Sequence, residues 1–106
     1  MIQTSDAAFT QDVLEPVEPV VVEFTAPWCR PCKAIEPFLV DLEREHEGRI
    51  RVVQLDIETD MATPSRYGVL SLPTVMVFSG GAIVETIDGA QPRRRYAEAV
   101  ARALAA

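Results

Sequence analysis

Short apolar runs alternate along the chain with longer stretches in which apolar residues recur at helical spacing. An apolar run of roughly four to eight residues between turn residues is typical of a strand buried on both faces. The runs at 20–25 and 74–78 are almost wholly apolar, so we predict that they are central strands. Further strands are predicted at 50–56 and 83–87, with a short edge strand at 2–4. The pair Gly80-Gly81 predicts a hairpin between the last two strands.

Apolar residues at helical spacing predict four helices around these strands. The longest is predicted at 30–47, ended by Gly48, because Ile35, Phe38, Leu39 and Leu42 recur at intervals of three and four. Its charged outer face is interpreted as solvated, and carries Glu36, Asp41, Glu43, Arg44 and Glu45. The other helices are predicted after a cap at Ser5 or Asp6, at 59–67 after a cap at Thr59 or Asp60, and from Pro92 through Tyr96 and Val100.

The order of elements is therefore β-α-β-α-β-α-β-β-α, which predicts one α/β domain over residues 1–106 with helices on both sides of a mixed sheet. A net charge of −6 argues against a nucleic-acid partner, because phosphate binding needs a basic surface. No segment is as long and apolar as a membrane span. The first six residues lack the basic and apolar regions of a signal peptide, so a cytoplasmic location is expected.

Both cysteines of the chain lie in the motif Trp28-Cys29-Arg30-Pro31-Cys32, where a strand passes into the long helix. The N-terminus of a helix stabilises a thiolate, and Pro31 suits its first turn. This context predicts dithiol–disulfide chemistry, with Cys29 as the nucleophile and the more shielded Cys32 as the resolving thiol. The alternatives are a partial zinc site or an inert pair. Zinc prefers four ligands, and beyond the cysteines the chain offers only His46 as a nitrogen or sulfur ligand.

Glu23 is a carboxyl group in the middle of an apolar strand. A buried carboxyl group without a partner tends to stay protonated, so its pKa is expected to be raised. Glu23 is then a candidate for proton exchange with the cysteine pair. The alternative is a side chain that turns towards solvent and has no role in the chemistry.

The motif and its surroundings resemble the thioredoxin family. The similarity continues at Pro37 within the helix, at Tyr67-Gly68-Val69, at Ser71-Leu72-Pro73-Thr74 and at Asp88-Gly89-Ala90, and it covers nearly the whole chain. It implies a three-layer α/β/α sandwich and a protein disulfide reductase. In this family an aspartate corresponds to Glu23 and passes a proton to the resolving cysteine, and a lysine often corresponds to Gln54. With Gln54 in place of that cation, Glu23 is expected to be easier to protonate.

The resemblance also implies a substrate site and partners. A cis bond is expected before Pro73, and the residues implied in substrate binding are Pro27, Trp28, Arg30, Pro31, Leu72, Pro73, Gly89 and Ala90. No bound cofactor or metal is expected, because the chemistry lies in the dithiol. The implied partners are disulfide-containing proteins and a flavin-dependent thioredoxin reductase, with the chain acting as a monomer. Two alternatives stay open: a disulfide oxidase or isomerase, which Arg30 favours, and a non-catalytic binding module.

Overall fold

A five-stranded sheet forms the centre of the computed structural model, which describes residues 1–106. In sheet order the strands are β1 (Ile2–Gln3), β3 (Arg51–Asp56), β2 (Val20–Thr25), β4 (Thr74–Ser79) and β5 (Ala82–Asp88). β1, β3 and β2 run parallel, and β4 is antiparallel to both of its neighbours, β2 and β5. Gly80 and Gly81 both have positive φ and close the predicted hairpin between β4 and β5. The mixed sheet confirms the predicted fold class.

Helices cover both faces of this sheet. α1 (Arg30–Glu45) and α3 (Arg93–Ala105) pack on one face. α2 (Ala62–Arg66) and a π-helical turn at Thr10–Leu14 lie on the other side. The observed order of elements therefore matches the predicted one, with a single wide turn in place of the first helix. None of the helices has the length and apolar character needed to cross a membrane.

Two separate hydrophobic clusters hold the three layers together. Alternate residues of a strand point to opposite faces, so Val21 belongs to the cluster beneath α1 and α3, while Val20 and Val22 belong to the other. The first cluster contains Ile35, Leu39 and Leu42 from α1 and Tyr96, Ala99, Val100 and Ala103 from α3. In the second, the rings of Phe9, Tyr67 and Phe78 pack with centroids 5.4–5.6 Å apart.

The predicted start of the first helix and the predicted end of α1 are wrong. The Ser5 hydroxyl accepts a hydrogen bond from the Ala8 N–H at 3.1 Å, but this bond lies in the turn before the helical segment. The segment itself begins after Phe9, which provides no side-chain cap, and closes as one π-helical turn with a bond from Glu15 N–H to the Thr10 carbonyl. α1 ends at Glu45, two residues earlier than predicted, and the chain then turns through Gly48, whose φ is 80°.

α2 is also shorter than predicted, because a distant residue caps it. The carboxylate of Asp6 accepts hydrogen bonds from the N–H groups of Ala62 (3.1 Å) and Thr63 (2.9 Å), which are the first of the helix. Neither Thr59 nor Asp60 caps α2, contrary to the prediction. Asp60 instead accepts a hydrogen bond from the Asp6 N–H at 2.8 Å. Hydrogen bonds in both directions therefore join two segments that lie 54 residues apart in the sequence.

Candidate active site

The two cysteines lie at the junction of β2 and α1, as predicted, and they form a disulfide with their Cα atoms 5.3 Å apart. Cys29 precedes the helix as its cap: its sulfur accepts a hydrogen bond from the Cys32 N–H at 3.2 Å. Only 3% of Cys29 is exposed, and Cys32 is completely buried. The free N–H groups of the first turn and the positive end of the helix dipole therefore act on the Cys29 sulfur, which favours its thiolate on reduction.

Trp28 projects beside the disulfide and is 66% exposed. Its indole N–H donates a hydrogen bond to the carboxylate of Glu58, in the turn after β3. The Glu58 N–H in turn donates to the Asp56 side chain at 2.8 Å. The ring is thus fixed in orientation although most of its surface is open to solvent, which makes it a rigid apolar wall next to Cys29.

A largely apolar groove of about 470 Å³ opens at Cys29. It includes four of the residues that the sequence implied for substrate binding, namely Trp28, Arg30, Pro31 and Leu72. The remaining wall consists of Ile57, Pro64, Val69, Leu70 and Ser71, of which the exposed Leu70 and Ser71 form the rim of the groove. Leu70 is 97% exposed. Sequence analysis missed these wall residues, although the exposed Leu70 stands between the two family motifs that it identified.

The peptide bond between Leu72 and Pro73 is cis, as the resemblance implied. The Pro73 carbonyl accepts a hydrogen bond from the Gly89 N–H at 2.8 Å, so Gly89 and Ala90 lie next to the proline loop. Gly89 needs its glycine because its φ is 75°, in the left-handed region. Gly89 and Ala90 flank the groove without lining it, and Pro27 lines a different cleft.

Tyr96 of α3 supports the glycine loop from below. Its hydroxyl group accepts a hydrogen bond from the Gln91 N–H (3.1 Å) and donates one to the Gly89 carbonyl (3.3 Å). Sequence analysis assigned Tyr96 only to the apolar face of the last helix. A tyrosine rather than a phenylalanine at a buried position was the available signal, since a buried phenol needs hydrogen-bond partners.

Glu23 is completely buried on the face of the sheet that α1 covers, so the alternative of a solvent-facing side chain is wrong. Its Oε1 accepts a hydrogen bond from Gln54 Nε2 at 2.9 Å, and Gln54 Oε1 accepts one from Gln3 Nε2 at 3.0 Å. The three residues are register partners across β1, β3 and β2. Their side chains therefore form a row of hydrogen bonds from the exposed edge strand to the buried carboxyl group of Glu23.

Burial raises the pKa of Glu23 to about 8, because the charged form loses its hydration. The Gln54 hydrogen bond opposes this shift, and the nearby carboxyl group of Glu36 adds to it. Glu23 is therefore mostly protonated at neutral pH and can exchange its proton close to the physiological range. The raised pKa agrees with the expectation that the neutral Gln54 leaves Glu23 easier to protonate.

A small polar cleft of about 170 Å³ lies next to this acid. It is lined by Gln3, Thr25, Ala26, Pro27, Lys33, Glu36, Gln54 and Asp56. The interpretation of Glu36 and Glu43 as solvated residues is wrong: both are half-buried. Glu36 lies against Glu23, and Glu43 accepts a hydrogen bond from the Val52 N–H at 3.2 Å. No group of three or more His, Cys, Asp or Glu side chains is arranged to hold a metal ion.

Comparison with known proteins identifies the chain. The family model described as thioredoxin matches residues 1–102. A thioredoxin from Synechocystis sp. is 40% identical over 102 residues, which cover 96% of this chain and 95% of the relative. A thioredoxin from Streptomyces clavuligerus is 46% identical over 89 residues, 84% of this chain and 82% of the relative. An M-type chloroplastic thioredoxin from Brassica napus is 42% identical over 96 residues, 91% of this chain and 54% of the relative.

The disulfide, the groove and the cis-proline loop thus occur in a chain that these proteins match over most of its length. The chain belongs to the thioredoxin family, and it is a thiol–disulfide oxidoreductase that reduces protein disulfides through its CxxC pair.

Proposed function

We propose that Cys29 is the attacking thiol and Cys32 the resolving thiol in the reduction of a protein disulfide. In the reduced chain the Cys29 thiolate attacks one sulfur of the substrate, a mixed disulfide forms, and the other substrate sulfur leaves as a thiolate. Cys32 loses its proton and attacks the Cys29 sulfur, which releases the second substrate thiolate. The substrate thiolates take up protons, and the Cys29–Cys32 disulfide remains. The observation that carries this proposal is the disulfide at the helix N-terminus beside an open groove.

Glu23 is the group that we propose accepts the Cys32 proton. It is buried on the face of β2 covered by the helix that carries Cys32, and its pKa of about 8 suits exchange with a thiol. The substrate peptide lies along the apolar groove, in contact with Trp28, Arg30, Pro31 and Leu72. Pro73, Gly89 and Ala90 lie beside this path in the proline and glycine loops, and Pro27 contacts the substrate from the neighbouring polar cleft.

A trapping experiment tests the two cysteine roles. Cys32→Ser leaves the attacking thiol but removes the resolving one, so the mixed disulfide should accumulate on incubation with disulfide-containing proteins. Cys29→Ser serves as the matched control and should trap nothing. Non-reducing electrophoresis measures the adducts, and equal trapping by both variants would contradict the assignment. Absence of both reductase and oxidase or isomerase activity in the wild-type chain would leave the binding-module alternative.

Arg30 is the feature that keeps a disulfide oxidase or isomerase as the second candidate, because a cation beside Cys29 stabilises the thiolate and hence the reduced form. At an exposed position the screened charge should raise the reduction potential by only about 10–25 mV. Arg30→Gly should therefore lower the potential slightly in a titration against glutathione. A fall of more than about 100 mV, from a strongly oxidising wild-type value, would favour the oxidase.

Electrons for the next cycle come, in our proposal, from a flavin-dependent thioredoxin reductase acting on a monomer in the cytoplasm. One chain contains the cysteine pair, the buried acid and the whole groove, which supports a monomeric unit. Cysteines limited to one CxxC motif fit a reducing compartment. Reduction by such a reductase with NADPH, compared with glutathione, tests the donor; sedimentation equilibrium and cell fractionation test the other two points.

A further inference from the structure

The buried carboxyl group of Glu23 is only half satisfied. Gln54 donates a hydrogen bond to its Oε1, whereas its Oε2 is buried and has no hydrogen-bond partner. An unsatisfied buried oxygen is costly, so a donor is expected close to it. No side-chain N–H or O–H group supplies one.

Glu36 is the neighbour that can supply that donor. It lies on α1 four residues after Cys32, and this spacing puts both side chains on the same face of the helix. Glu36 is half-buried and lines the same polar cleft as Gln54, which donates to Glu23, and its carboxyl group helps to raise the pKa of Glu23. Two neighbouring carboxylates repel each other, whereas one proton between them gives each a partner.

The other groups around Glu23 do not remove this need for a proton. From α1, Lys33 attracts the Glu23 charge, but it is exposed and makes no hydrogen bond to it. From β3, Gln54 is neutral and Asp56 adds a further negative charge to the cleft. Tyr96 of α3 is near enough to feel the Glu23 charge, but its hydroxyl group is engaged by the glycine loop.

We propose that Glu23 and Glu36 form a carboxyl pair that holds one proton between them, with Glu36 as the member that faces the solvent-filled cleft. This inference rests on the proposed function, in which Glu23 receives the Cys32 proton. With the shared proton on Glu36, the Cys32 S–H bond breaks and an O–H bond forms at Glu23, so the pair holds two protons. Glu36 then releases one proton to water, and the pair returns to its singly protonated state. Glu36 acts on the dithiol only through Glu23.

The acid–base properties of Glu23 are consistent with such a pair. Burial is the main reason that its pKa is raised, and the neighbouring carboxyl group of Glu36 raises it further. Two coupled groups of this kind release their protons in two steps that belong to the pair rather than to either residue.

Carboxyl ¹³C NMR of the oxidised protein tests the pair directly. In the wild-type chain the Glu23 and Glu36 resonances should each show the same two titration steps. In Glu36→Gln the Glu23 resonance should show one step, moved to lower pH because the neighbouring negative charge is gone. Glu47→Gln removes an exposed carboxylate near the end of the same helix and should leave the Glu23 curve unchanged. A Glu23 curve identical in the wild type and Glu36→Gln overturns the pair.

The rate of the resolving step separates this proposal from the proposed function. At about pH 7, Glu36→Gln should resolve a preformed mixed disulfide about threefold faster, because a larger fraction of Glu23 is ionised. Glu47→Gln should resolve it at the wild-type rate. The NMR titration can show the pair while Glu36→Gln resolves the mixed disulfide at the wild-type rate. In that case the carboxyl pair stands, and the role of Glu23 as proton acceptor for Cys32 fails.

Discussion

At Glu23 the loss of hydration outweighs every interaction that favours the charged form. The single hydrogen bond from Gln54 and the distant charge of Lys33 lower the pKa of this carboxyl group, yet burial raises it to about 8. A neutral amide therefore satisfies one oxygen without fixing the protonation state. The side chain is held in position and still free to titrate, which is the property that a proton acceptor needs.

Glu23→Gln should change how stability depends on pH. The unfolded chain releases this proton near pH 4.5 and the folded chain near pH 8, so folding loses stability as pH rises between these values. Because the glutamine does not ionise, the free energy of unfolding of the variant should rise relative to that of the wild type across this range. The difference should reach up to about 5 kcal/mol. Urea unfolding of the oxidised proteins at about pH 4 and pH 9 measures the difference. An equal rise in the free energy of unfolding at both pH values would mean that the difference comes from packing and not from the charge of Glu23.

Tyr96→Phe should weaken substrate binding at the groove and leave the packing of the hydrophobic core unchanged. The ring stays buried, but the Gln91 N–H and Gly89 carbonyl lose a partner, which should cost about 1–2 kcal/mol of unfolding free energy. KM for a protein substrate should rise about threefold as the loop beside Pro73 loosens. KM for a small aromatic disulfide should stay the same. Tyr67→Phe is the control, since the Tyr67 ring packs in the second cluster and its hydroxyl group makes no hydrogen bond within the chain.

At the scale of single elements, α2 depends on a contact from another part of the sequence. It is only five residues long, and its first N–H groups are satisfied by Asp6, which precedes the π-helical turn. So short a helix is not stable on its own, because few of its backbone groups bond within it. The cap therefore links the start of the chain to the helix that leads into the groove wall.

Asp6→Ala should lower the midpoint of thermal unfolding slightly at neutral pH. Hydrogen bonds from Thr63, together with that from the Ala62 N–H, hold the pKa of Asp6 below its ordinary value. Its stabilising effect is therefore present above the ordinary aspartate pKa and is lost as pH falls through the lowered one. The difference between wild type and variant should shrink in acid. Asp6→Asn keeps an acceptor oxygen, so its unfolding midpoint should fall less than that of Asp6→Ala. If calorimetry at neutral pH shows the same midpoint for the wild type and Asp6→Ala, Asp6 does not stabilise α2 as a cap.

Local sequence signals predicted the elements that depend on local interactions. The strands and α1 were predictable because their apolar spacing directly determines what they bury, as Val21 and Leu39 illustrate. The cysteine pair and Pro73 were predictable from motifs. The bounds of α2 were not, because its cap is 56 residues away in the chain. The role of Glu36 was missed for the same reason: its spacing fits an outer face, and only the fold brings it against Glu23.

At the scale of the whole molecule, the groove and the hydrophobic clusters share only some of their residues. The two hydrophobic clusters lie on either face of the sheet, and the groove opens at one end of it. Its wall comes from three loops, after β2, after β3 and between α2 and β4, together with the first turn of α1 and Pro64 of α2. Ile57, Val69 and Leu72 connect the groove to the second cluster, and Cys29, Cys32 and Ala26 form a small cluster of their own.

Leu70→Ser should therefore alter binding and leave folding unchanged. The side chain is almost fully exposed, so the unfolding free energy should change by less than about 0.5 kcal/mol. The groove loses apolar surface, and KM for a protein substrate should rise. Leu39→Ala is the contrasting variant, since its buried side chain in the first cluster should cost about 2–5 kcal/mol. A large loss of stability in Leu70→Ser would show that the rim supports the fold.

The exposure of Leu70 and Trp28 has a consequence for how this chain can diversify. A rim that contributes little to folding can accept substitutions that buried positions reject, so new substrate preferences can arise without compensating changes in the interior. A library that varies Trp28, Leu70 and Ser71, selected for reduction of one chosen protein, should yield many folded variants. The same number of changes in α1 should yield few folded variants, because that helix contributes Ile35, Leu39 and Leu42 to the first cluster and contains Cys32.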